Sequence, residues 1–245
     1  MGYQQNQSGI SVGLDSTKDI ENGVQIGGIF SGYSHSDLDF ASDSTGSINS
    51  FFVGGYSTWL LNSGWFIDAV AKANNFTSTA DVRMSDGSKA DGGYSVPGFG
   101  ASLEVGRQIN FENGWFLEPS AQLSALWVKG DSYRFSNDLK ADSQQATSKQ
   151  AALNAVAGHN LTLSNGMTLQ PWLRAAVIQE FSDNNAVSIN GNNFTNDMSG
   201  LRSEYGAGMS SQLSKDVEVY LDARYSKGDK IESPWGGNIG IRWNW

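Results

Sequence analysis

Apolar and polar residues alternate along most of this chain, and the alternation is plainest at its end. In the closing stretch, Ile239, Ile241, Trp243 and Trp245 share one face, while Gly240, Arg242 and Asn244 share the other. A period of two predicts a strand whose faces meet different media. The same period runs through residues 115–127, where Trp115, Leu117, Pro119, Ala121, Leu123, Ala125 and Trp127 oppose Phe116, Glu118, Ser120, Gln122 and Ser124. Phe99, Ala101, Leu103 and Val105 oppose Gly100, Ser102, Glu104 and Gly106, and Val217, Val219, Leu221 and Ala223 oppose Glu218, Tyr220, Asp222 and Arg224. Residues 50–60 are ambiguous, with apolar side chains on both faces. A strand such as 115–127, at ~3.3 Å per residue and ~45° tilt, spans close to a bilayer core.

The connections alternate as well. Short ones fall at 19–23, 62–64, 110–114, 164–166 and 214–216, most with the Asn-Gly or Ser-Gly chemistry of tight hairpins. Long ones fall at 34–49, 77–95, 131–148 and 182–199, rich in Ser, Asp, Asn, Gly and Thr, and read as wet surface loops. Any one strand could be the edge of a soluble β-sandwich. Strict alternation of short and long connections instead predicts an all-β chain forming a transmembrane, antiparallel up-and-down β-barrel, one domain over residues 1–245. Short turns then face the periplasm, long loops the outside, and Trp245 ends in the periplasm. The pattern yields about 11 strands, the first over residues 8–16 and running the same way as the last, so an even total of about 12 calls for one more. Residues 1–7 are too short and polar to supply it, and the expectation is that it lies upstream.

Composition changes the picture in a few places. Hydrophobic residues make up 39 %, with no apolar run near the ~18 residues of a spanning helix. That does not weigh against a barrel, whose strands show only alternate residues to lipid. The absence of cysteine removes disulfides and thiolate metal sites. A net charge of −9 argues against nucleic acid as a partner. The opening residues have no basic region followed by an apolar core, so they are not a signal peptide, and an exported chain would be part of something longer.

Parity sends an unusual set of polar side chains inward: Asp68, Glu104, Glu118, Gln122, Arg174, Arg202, Glu204, Asp222, Arg224 and Arg242, with Lys72 and Glu218 beside them. A charge facing hydrocarbon would cost ~2–4 kcal/mol near the midplane, so these belong to a lumen. They form either a charge-balanced channel that grips neither sign of polypeptide, or ion pairs that only stiffen a wet wall. For catalysis there are two histidines. His35 sits by Asp37 and Asp39 in a loop, and His159 shares the lipid face with Leu153, Ala155 and Ala157, so no catalytic residue, cofactor or metal is expected. The pairs Asn74-Asn75, Asn184-Asn185 and Asn192-Asn193 read as turn residues. A small porin-like channel and an outer-membrane barrel enzyme are the alternatives.

Leu117-Glu118-Pro119 echoes Leu169-Gln170-Pro171, each just after a short turn with proline on the apolar side. Together with Glu204-Tyr205-Gly206-Ala207-Gly208 and the run from Tyr225-Ser226-Lys227-Gly228-Asp229-Lys230 to Trp245, these strands resemble the carboxy-terminal translocator domain of classical monomeric autotransporters. The resemblance is to the AIDA and pertactin type, nearest to AIDA-type adhesins, and covers essentially the whole chain. It implies an outer-membrane barrel of about 12 strands with a linker helix in its lumen. Such a barrel anchors an amino-terminal passenger, here an adhesin, and supports its movement to the surface by type V secretion; it is not itself an enzyme. Implied partners are the passenger and linker helix, the barrel assembly machinery, and lipid or lipopolysaccharide, with the chain a monomer. Ile239, Ile241, Trp243 and Trp245 would be the carboxy-terminal assembly signal. The departures from the family pattern are the passenger, the linker helix and the first strand, which are expected upstream of these residues.

Overall fold

Strands that show apolar side chains on one face and polar ones on the other can satisfy their backbone only by pairing, and this chain pairs them in sequence order. A computed structural model describes residues 3–40, 43–83, 87–138, 140–164, 166–183, 185–189, 192–230 and 232–245. Among the described residues eleven long strands run through the main sheet, with the two-residue strands Ile109–Asn110 and Leu161–Thr162 beside them: β1 (Tyr3–Ile20), β2 (Gly23–Phe40), β3 (Thr45–Leu61), β4 (Trp65–Arg83), β5 (Lys89–Arg107), β6 (Trp115–Val128), β7 (Ala146–His159), β8 (Thr168–Glu180), β9 (Gly200–Ser214), β10 (Val217–Gly228) and β11 (Glu232–Trp243). Each is antiparallel to the next. Among the described residues no helix is long and apolar enough to cross a membrane, which says nothing of strands.

Where the apolar side chains point decides between barrel and sandwich. A sandwich buries them between two sheets. Here Ile10 is 72 % exposed, Leu153 68 % and Ile241 73 %, and among the described residues no large side chain is fully buried. A continuous apolar wall of this extent is not sustained in water. The sheet curls so that its polar face is inside, and the apolar face is the outer surface.

Three features depart from the sequence reading. The long connections are not loops throughout. Residues 34–40, 45–49, 77–83 and 89–95 are strand, so β1 to β5 run for 17 to 19 residues and stand as hairpins above the ~10 residues a bilayer needs. Ser, Thr and Asn signal water there, and a hairpin meets that demand as well as a loop. The next connections carry their own sheet, Asp131–Arg134, Lys140–Ser143, Asn185–Ile189 and Asn192–Asn196; its Ala141, with Phe135 just past the first strand, packs on Ala90 of β5. Finally, residues 3–7 belong to β1, paired with residues 36–40 at the long-connection end.

The echoed proline motifs mark matching interruptions. The β5–β6 ladder runs to Gly106↔Ser120 and resumes at Ile109↔Leu117, skipping Pro119. The β7–β8 ladder runs to Gly158↔Trp172 and resumes at Leu161↔Leu169, skipping Pro171. Each proline keeps its other neighbour, Ala155 or Met209. Lacking an N–H, proline is tolerated where one ladder bond is surrendered near the rim.

Residues 50–60 were ambiguous because aromatics also line the inside. Phe52 and Tyr56 of β3 point inward beside Phe30 of β2, ring centroids 6.2 and 6.4 Å from that ring. They fit because glycines face them; a Cβ on Gly28 would sit 2.7 Å from the Tyr56 ring. An aromatic over a glycine covers exposed backbone and pins register. No ladder joins β1 to β11 among the described residues, so each keeps one free edge.

Candidate functional site, the inner wall

Inward positions of adjacent strands lie side by side, so polar residues chosen by parity meet across the sheet. The longest connected set spans β5 to β9. Glu104 of β5 accepts from the Ser120 hydroxyl at 2.5 Å, and Asn154 Nδ2 of β7 donates to the same hydroxyl at 3.3 Å. Asn154 Oδ1 accepts from Arg174 Nη2 at 2.7 Å, and Arg174 Nη1 faces Glu204 Oε1 at 3.6 Å. Register explains the last contact: Arg174 is opposite Gly206, which leaves its side chain room to lean toward Glu204.

A second set closes the long-connection end of β7 to β9. Glu180, 5 % exposed, accepts from Ser148 Oγ at 2.5 Å, Gln150 Nε2 at 2.9 Å and the amides of Lys149 and Ser182, both at 2.9 Å. A carboxylate so enclosed requires this saturation. Arg202 joins it through Gln150, Nη2 to Oε1 at 3.1 Å.

The third set brings the first and last strands together. Tyr56 donates to Asp15 Oδ2 at 2.6 Å, and Arg242 Nη2 of β11 donates to Asp15 Oδ1 at 2.8 Å. Asp15, Gly28 and Tyr56 are paired neighbours on β1, β2 and β3, so the tyrosine ring reaches the carboxylate only by lying across the glycine.

The other inward residues line the wall between these sets. Asp68 accepts from Thr58 Oγ1, and Lys72 Nζ lies 5.0 Å from the Phe52 ring centre. Asp222 accepts from Asn238 Nδ2 at 3.0 Å, while Arg224 extends over Gly236. Glu118 and Gln122 stand opposite Val156 and Ala152 on β7, and Gln122 also opposite Glu104 on β5. On the outer face of β11, Ile239, Ile241, Trp243 and the terminal Trp245 are 69–90 % exposed.

Sequence reasoning missed Asp15, Gln150, Asn154 and Glu180. Parity could have found Asp15, since Ile10, Val12 and Leu14 mark the outer face of β1. Glu180 had no such signal, because it ends a strand. Asn74 and Asn75 are not turn residues: they lie inside β4, donating to Ser50 Oγ at 2.8 Å and Ser95 Oγ at 3.2 Å. Asn185, Asn192 and Asn193 are in the loop sheet, and Asn184 lies outside the described residues. His35 is on β2 rather than in a loop. Its Nδ1 lies 2.7 Å from Asn49 Oδ1 and its Nε2 3.1 Å from Asp37 Oδ1, two acceptors that raise its pKa, Asn49 contributing most. His159 packs edge-on against Trp115, with ring centres 4.7 Å apart.

The result is a wall of mixed charge in which several ions are held by neighbours, on the inner side of a sheet whose outer face is apolar. Such a wall presents charges of both signs and hydrogen-bonding groups to a polar or extended polypeptide. A family model described as the autotransporter beta-domain matches residues 1–224. The chain is 38 % identical over 244 residues to a probable autotransporter, YpjA, of Escherichia coli strain K12, and 35 % identical over 243 residues to the pertactin autotransporter of Bordetella bronchiseptica. Each match covers 99 % of this chain but only 16 % and 26 % of those proteins, so the chain spans a minor part of their length. Among solved structures, the β domain of the Bordetella autotransporter BrkA superposes with a TM-score of 0.86 at 28 % identity, covering 99 % of this chain and 92 % of that one.

Proposed function

The chain belongs to the autotransporter β-domain family, and on that premise we propose that it is the outer-membrane barrel that anchors an amino-terminal passenger, an adhesin, and supports its passage to the cell surface. The observation that carries this reading is the combination of an apolar outer wall with the connected inner set Glu104–Ser120–Asn154–Arg174–Glu204. A wall whose charged groups are engaged with one another and with Ser120 and Asn154 offers a passing chain few free groups to hold it.

In this reading the short turns face the periplasm and the hairpins of β2–β3 and β4–β5 stand outside the cell. The free edges of β1 and β11 support a further strand, antiparallel to both and contributed by the same protein, because unpaired backbone is costly in hydrocarbon. A linker helix would occupy the lumen. Ile239, Ile241, Trp243 and Trp245 would be read by the barrel assembly machinery, and the barrel would act as a monomer with no catalytic role of its own.

The test is passenger display. Arg202→Gln, Arg174→Met and Glu204→Gln, each in the full-length protein, should lower surface-exposed passenger at equal levels of folded barrel. Unchanged display in all three would leave those residues a purely structural role and remove the support the inner wall lends to translocation.

A further inference from the structure

We propose that the outer face of β6 to β9 binds one phosphorylated, multiply acylated glycolipid of the outer leaflet, with Lys149 and Lys129 on its phosphates and an acyl chain seated below them. The proposal rests on the outer-membrane orientation above, which puts the long-connection end of the barrel in that leaflet.

The seat is a hollow of about 250 Å³ in the apolar wall, bordered by Leu153, Ala155, Ala175, Val177, Ser203 and Tyr205. Register explains it. Leu153, Val177 and Ser203 form one outward row and Ala155, Ala175 and Tyr205 the next, so paired alanines lie between bulky neighbours. Leu153 is 68 % exposed, so it forms a ridge rather than filling the floor. Apolar surface alone would accept any lipid tail. What distinguishes this place is the charge at its outer end.

Lys149 occupies the same outward face of β7 four residues above Leu153, about 13 Å along the strand. Its backbone carbonyl accepts from the Phe181 amide at 2.9 Å, and Phe181 presents its exposed ring beside it. Lys129 continues the outward parity of β6 one step past Trp127, its amide still in the ladder to Pro97 at 3.0 Å. Among the described residues neither lysine enters an ion pair, whereas Arg83 and Lys227 are matched by Asp43 and Glu232. Two unmatched cations on a chain of net charge −9, at headgroup depth above an apolar hollow, complement a lipid that carries both phosphate and acyl chains.

The test uses the full-length protein extracted from outer membranes in mild detergent, with lipid A retained per barrel counted by native mass spectrometry. Each of K129Q and K149Q should lower retention about fivefold, from the contribution of one lysine near a membrane surface. Lysine-to-arginine replacements should keep it. A155L with A175L, which fills the hollow and keeps both cations, should also lower it. Vesicles of phosphatidylcholine doped with lipid A should reload the delipidated wild type, and phosphatidylglycerol at equal charge should not displace it. Equal retention by K129Q/K149Q and wild type, or equal displacement by phosphatidylglycerol, overturns the proposal. Membrane fractionation of the same variants separates the two readings: failure of all forms, wild type included, to reach the outer membrane would overturn the orientation itself.

Discussion

Placing a valine at Gly28 should unlatch the contact between the first and last strands. A Cβ there would lie 2.7 and 2.8 Å from Tyr56 ring carbons and 2.9 Å from Asp15 Cβ, so the ring must tip off the strand. Tipping breaks the 2.6 Å bond to Asp15 and leaves that carboxylate to Arg242 alone. Overpacking costs about 1–3 kcal/mol, and a hydrogen bond to a charged group about 1.5–3 kcal/mol, the latter reduced because water reaches the lumen. The expected loss is about 2–4 kcal/mol, or a fall of roughly 1 M in the urea midpoint at unchanged slope. Tryptophan fluorescence of barrels folded into lipid vesicles would read it. Gly27 provides a matched control, because a Cβ there meets nothing nearer than 3.9 Å and faces outward; G27V should stay within about 0.5 kcal/mol of wild type. Y56F should lose only the hydrogen bond, and Y56F added to G28V should cost little more than G28V alone. If G28V and G27V unfold at the same midpoint, the ring does not depend on the glycine and the latch is not as described.

Replacing Arg174 by methionine should destabilise the barrel by about 1–2 kcal/mol in the same assay, since Asn154 Oδ1 loses its donor and Glu204 its cation; no change would mean that water substitutes fully. Lys230, with help from Ser199, holds Asp197 down at about 2, tying the β8–β9 connection to the β10–β11 one. A depressed carboxylate stabilises above its unfolded value and loses that as pH falls, so protease resistance of these connections should decline between about pH 4 and 2. In K230Q the decline should shift upward, and an identical profile would exclude the pair as its cause. Deleting residues 243–245 removes the exposed Trp243 of the closing strand and the exposed Trp245 beyond it, and should abolish heat-modifiable, protease-resistant barrel in the membrane fraction; normal insertion of the truncated chain would dismiss β11 as an assembly signal.

How much was legible in the sequence can be followed residue by residue. Ile239, Ile241 and Trp243 declared their face by alternation alone, and so did Glu104, Arg174 and Glu204 on the other side. The β2–β3 and β4–β5 connections are largely strand, which their polar residues do not reveal because such residues announce water, not backbone conformation. Tyr56 was obscured for a different reason. An inward aromatic looks like a pattern error until the glycine it covers is found on the neighbouring strand.

From the sequence alone came the period of two and the alternation of short and long connections, because these depend only on neighbours along one strand. The tertiary structure decided which charges meet. Arg174 finds Asn154 and Glu204 because register sets Gly206 opposite it, and Arg242 finds Asp15 across 227 positions because the sheet curls end to end. Register and curvature arise from pairing between strands, and no single strand encodes its partner's offset.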